Sequence, residues 1–92
     1  MQFHISVLLT DIQECEPFVA AHLAYLRQHL EKGDFIAFGP FLETHGGWIL
    51  AQSDSAESMK ATLDEDPLAR QNLARYDIRQ TSFASFSPLF NN

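Results

Sequence analysis

AAHLAYLRQHLEKGDFIAFGP, residues 20–40, holds a helix, its stop and a strand in one run. Read back to Pro17, the helical part places Val19, Leu23, Leu26 and Leu30 at spacings of four, three and four, the repeat of one apolar helix face. Pro17 suits the first helical turn, where its missing N–H costs nothing. Glu14 and Glu16 lie near the positive end of the helix dipole and Lys32 near the negative end. Gly33 is the natural C-terminal stop. Asp34–Phe38 is then a short apolar strand, closed by Gly39-Pro40 because proline supplies no donor to a sheet ladder. The spacing predicts a helix over 17–32 and a strand over 34–38.

Upstream, Gln2 to Thr10 alternates. Phe3, Ile5, Val7 and Leu9 share one face, while Leu8 is the only apolar residue on the other. Downstream, His45-Gly46-Gly47 reads as a turn and Trp48–Gln52 as the third strand. Asp54 to about Glu65 reads as a second helix, with Asp54 and Glu57 at capping-box spacing and Ala56, Met59 and Leu63 as a weaker stripe. Asp66-Pro67 opens a short helical segment through about Leu73, and Tyr76 to about Phe86 is the last strand. The tail carries Pro88, Leu89 and Phe90, an apolar end of the kind that packs on a neighbour. The order β-α-β-β-α-β is the ferredoxin-like split pattern, an α+β fold with a four-stranded antiparallel sheet. No repeat or linker interrupts it, so residues 1–92 form one domain.

Size bounds the rest. A chain of 92 residues buries only about 60–65% of its unfolded surface, so association with a second copy would help to stabilise it. A net charge of −6 argues against a broad nucleic-acid surface, which needs clustered Lys and Arg. A small anionic substrate would still need only one or two local cations. No apolar run approaches the roughly 18 residues of a membrane span, and no basic region precedes an apolar one as in a signal peptide. Cys15 is the single cysteine and cannot form an internal disulfide, which points to the cytoplasm.

The helix-borne His22 in the quoted stretch, the Gly39-Pro40 that closes the second strand and the Asp66-Pro67 after the second helix recur in the order and spacing of the YCII-related family. The chain resembles that family over nearly its whole length. The resemblance implies a dimeric α+β barrel in which two four-stranded sheets face each other, and an active-site pair carried here by His22 and Asp66. One branch of the family eliminates HCl from a chlorinated hydroxyhydroquinone. Related barrel families include muconolactone isomerases and cofactor-free oxygenases. Many relatives carry arginine three residues before the helix histidine. Val19 stands there in this chain, so an anion contact from that arginine is missing.

Beside the resemblance, each residue has its own chemistry. His22 lies about 40–60° round the helix from the Leu23/Leu26 stripe at roughly 100° per residue. That is the edge of the buried face, a good place for a general acid/base or for a histidine that merely caps an apolar contact. Asp followed by Pro is an ordinary helix start, and the same carboxylate has acceptor sites left to orient an imidazole. His4 and Tyr25 are candidate substrate contacts, with an inter-subunit contact and helix packing as their plainer alternatives. Gly39 and Pro40 would act through shape, letting a ligand approach backbone. His22 and His29 are seven apart, but no His-x-x-x-His pair or cysteine cluster suggests a metal. His29 reads as a solvated helix residue and His45 as a turn residue. Cys15 has no general base near it in sequence, and no phosphate-binding glycine loop is present.

Two functions follow. The first is a cofactor-independent lyase- or isomerase-type enzyme acting on a small cyclic or aromatic polar compound, with His22 moving a proton and Asp66 orienting it. The second is a non-catalytic dimeric module that binds a small ligand or a protein.

Overall fold

The computed structural model describes residues 1–84. The end of the last expected strand, at Phe86, and the tail with Pro88, Leu89 and Phe90 lie outside the described residues.

Four strands, β1 (Gln2–Leu9), β2 (Phe35–Pro40), β3 (Gly46–Gln52) and β4 (Ala74–Thr81), form one antiparallel sheet in the order β2-β3-β1-β4. Ile5 is the centre of the register, paired with Ile49 on one side and Ile78 on the other. Between β1 and β2 run α1 (Ile12–Cys15), a 3₁₀ turn (Glu16–Phe18) and α2 (Val19–Lys32). Between β3 and β4 lie α3 (Ala56–Leu63) and α4 (Pro67–Arg70). The helix expected from Pro17 therefore starts two residues later, and Pro17 is accommodated in the tighter 3₁₀ turn. Gly33, at φ 88°, ends α2 in the left-handed conformation that favours glycine.

Alternation in β1 sorts its two faces. Phe3, Ile5 and Val7 are buried beneath the helices, with Phe35, Ile49, Ala51, Met59 and Leu63. His4 and Leu8 are exposed on the opposite face.

Four local expectations change. The stripe Val19/Leu23/Leu26/Leu30 is not the core face of α2: Leu26 is buried with Tyr25 and His29, while Val19, Leu23 and Leu30 remain exposed. The helix is turned so that its histidines reach carboxylates, and Val19 and Leu23 are left beside open space. His29 is accordingly a buried residue, its Nδ1 2.9 Å from Asp34 Oδ2, with its ring against Tyr25 and Phe35. The cap of α3 is Ser55, whose side chain accepts from Ser58 N, rather than Asp54. β3 also begins at Gly46, two residues before the expected start. At φ 131°, a Cβ on Gly46 would stand 2.0 Å from the Val7 carbonyl oxygen, so glycine permits this close strand approach.

No helix of the described residues is long and apolar enough to cross a membrane.

Candidate active site

α2 and α4 bring together two residues 44 positions apart. His22 lies one turn into α2. Asp66 is the N-cap of α4, with Pro67 in the first helical position. His22 Nδ1 is 2.7 Å from Asp66 Oδ1, and Asp66 is wholly buried. The same Oδ1 accepts from the Leu68 N–H at 3.1 Å, while Oδ2 accepts from the Tyr76 hydroxyl. Three donors thus converge on one buried carboxylate. This satisfies a group that would be costly to bury alone. Among the described residues, no buried side-chain polar atom lacks a hydrogen-bond partner.

Tyr76 is the member that sequence reading missed. It stands opposite Val7 in the β1–β4 register and so shares its helix-facing side. The signal was present: Ala74, Tyr76 and Ile78 alternate with exposed Arg75, Asp77 and Arg79. A phenol at one of those inward positions needs a partner. Burial, and next the negative charge of Asp66, push its pKa far above the ordinary phenol value, so it remains a donor.

In front of His22 is a cavity of about 420 Å³. Val19, Leu23 and Leu26 line it from α2; Val7, Leu9, Phe38 and Ile49 from the sheet; Gly39, Pro40, Gly46, Gly47 and Trp48 from the β2–β3 end. Leu68 of α4 completes the lining, in which His22 is the one ionisable side chain among the described residues. With Nδ1 held by Asp66, Nε2 is the ring nitrogen left for a ligand. Gly39 has a packing role as well, since a Cβ there would come within 2.8 Å of the Trp48 ring.

Of the residues singled out from sequence, His22, Gly39 and Pro40 line the cavity, and Asp66 stands behind His22. His4 does not line it. Tyr25 lies elsewhere too: its hydroxyl donates to the Thr62 carbonyl at 2.6 Å, tying α2 to the end of α3. Cys15 is buried, and desolvation raises its thiol pKa, which disfavours a thiolate nucleophile. No group of three or more His, Cys, Asp or Glu among the described residues is placed to hold a metal ion.

The family model described as YCII-related domain matches residues 4–82. No functionally curated protein matches the chain. Among solved structures, the chain is similar to 5-chloro-2-hydroxyhydroquinone dehydrochlorinase from Burkholderia phenoliruptrix AC1100 in complex with 2,5-dihydroxybenzoquinone. The two share 21% identity and a TM-score of 0.76 over 89% of this chain and 94% of that one. It is also similar to muconolactone isomerase, with 14% identity and a TM-score of 0.74 over 95% of this chain and 96% of that one. At these identities the likeness establishes a shared fold.

Proposed function

The chain belongs to the YCII-related domain family, and from that premise we propose that it is a cofactor-independent acid–base enzyme of the lyase or isomerase type. Its substrate is a small cyclic or aromatic compound. The observation that carries this reading is the 2.7 Å contact between His22 and the buried Asp66 at the wall of an apolar cavity. By their names, the two similar structures are a dehydrochlorinase and an isomerase. Both reaction types can proceed by moving a proton, without a redox step.

In the proposed mechanism Asp66 Oδ1 accepts the Nδ1–H of His22 and fixes the ring as the tautomer whose Nε2 is a base. Nε2 takes a proton from a carbon of the bound ring. In an isomerisation, the C–H electron pair moves into a neighbouring conjugated system, and the same proton returns at another carbon. In an elimination, that pair forms a new double bond and the leaving group departs with its own bonding electrons. Asp66 stabilises the imidazolium in either case and itself remains ionised. The apolar wall keeps water from the proton in transit. We place this activity in the cytoplasm, consistent with a lone buried cysteine, and in a homodimer.

Deuterium exchange into cyclic hydroxylated or lactone compounds, read by NMR in heavy water, detects the proton transfer whatever the final product. For a compound that exchanges, His22→Gln should lower the rate at least about 10²-fold, the lower end for one general acid–base group. Affinity should change far less. Near-wild-type exchange by His22→Gln would remove His22 from the role. Tight binding with no exchange by the wild-type protein would favour the non-catalytic module.

A further inference from the structure

The cavity that the proposed reaction uses also has a charge character, and we infer from it that the ligand is an uncharged ring bearing no carboxylate or phosphate. The inference rests on the reading of this cavity as the substrate site. Thirteen of its fourteen described lining residues are apolar or glycine, and the remaining one is His22. None of them is Lys or Arg. Behind this wall the Asp66 carboxylate is bonded to His22. An anionic substituent entering this space would lose its hydration, find no Lys or Arg among these residues and approach the Asp66 carboxylate behind His22. A neutral hydroxylated ring keeps one hydrogen-bond partner, His22 Nε2, and buries its apolar faces against Leu23, Leu26 and Phe38. A volume of about 420 Å³ lies near the lower end of the roughly 300–1,000 Å³ of small-molecule sites, which suits a compact ligand.

Val19 is the residue that sets this preference. It opens α2, is 42% exposed and lines the cavity three positions before His22, so the two share a helix face. A cation there would stand beside the ligand without displacing a buried group. Valine leaves the position neutral.

The test compares 4-methylcatechol with 3,4-dihydroxybenzoate, which share a ring and differ in a methyl or a carboxylate at one position. Binding is read by calorimetry and by the fluorescence of Trp48, the chain's one tryptophan, which lines the cavity. The wild-type protein should bind the neutral ring at least about tenfold more tightly, a difference of about 1.4 kcal/mol. Val19→Arg should raise affinity for the carboxylate at least about tenfold, the same free-energy step, and change that for the neutral ring much less. Equal or tighter binding of the carboxylate by wild type overturns the inference, as does failure of a folded wild-type protein to bind the neutral ring at millimolar concentration. Neither readout involves turnover. A neutral preference without proton exchange would sink the enzyme reading alone. Exchange confined to carboxylated rings and dependent on His22 would sink this inference alone.

Discussion

At Asp66 one carboxylate caps α4, holds His22 and receives the Tyr76 hydroxyl. The phenol side of this network has a pH signature. Burial raises both tyrosines, Tyr25 and Tyr76, above the ordinary value of 10.0, with the charge of Asp66 as the next cause for each. The folded chain therefore keeps phenolic protons that the unfolded chain releases near pH 10. By linkage, their contribution to stability is fully present below pH 10 and declines as pH rises above it. These are the chain's two tyrosines. Ultraviolet titration should show no phenolate in the native protein at pH 10, followed by ionisation together with cooperative alkaline unfolding. A phenolate titration centred near pH 10, with native circular dichroism retained, would refute the assignment. The two residues of the His–Asp contact were legible in the sequence as His22 on a helix edge and Asp66 before a proline. Their meeting was not derivable from periodicity, because no local rule joins positions 44 apart; the family resemblance supplied it. Tyr76 is harder to see because the mixed composition of its strand obscures which alternate residues face inward.

Each helix or strand beside the cavity contributes a different constraint. The turn of α2 brings His22 and His29 toward Asp66 and Asp34, while Val19 and Leu23 are left on the cavity wall. Apolar spacing made the helix legible but could not establish this rotation, because a cavity and a core both favour apolar walls. The start of α3 shows a similar limit: Asp54 and Ser55 are both good caps, and the backbone selects Ser55. At the β1–β3 end the constraint is tighter. Gly46→Ala would place a methyl 2.0 Å from the Val7 carbonyl oxygen at a φ of 131° that alanine rarely adopts. The expected result is separation of the strands there, a loss of about 2 kcal/mol or more from combined strain and clash, and faster hydrogen exchange near Val7 and Leu8. Urea unfolding measures the first and mass spectrometry the second; a variant unchanged in both would show that the close approach is dispensable.

The whole chain presents a sheet with helices over one face, while His4 and Leu8 are exposed on the other. Leu8, Ile36 and Leu42 are among its exposed large apolar residues. For a chain of this size, pairing in a homodimer offers additional burial. Sedimentation should give twice the chain mass at micromolar concentration, and Leu8→Lys should shift the protein toward monomer if the sheet face is the contact. A monomeric wild type would refute the dimer. The triple engagement of Asp66 also affects how a lineage could change. In a descendant without the proposed turnover, selection on stability would still favour this aspartate, because it caps α4 and accepts from the Tyr76 hydroxyl. His22 has no comparable structural hold. Drift at position 22 with retention at 66 would therefore mark descendants that kept the scaffold without the proposed proton transfer.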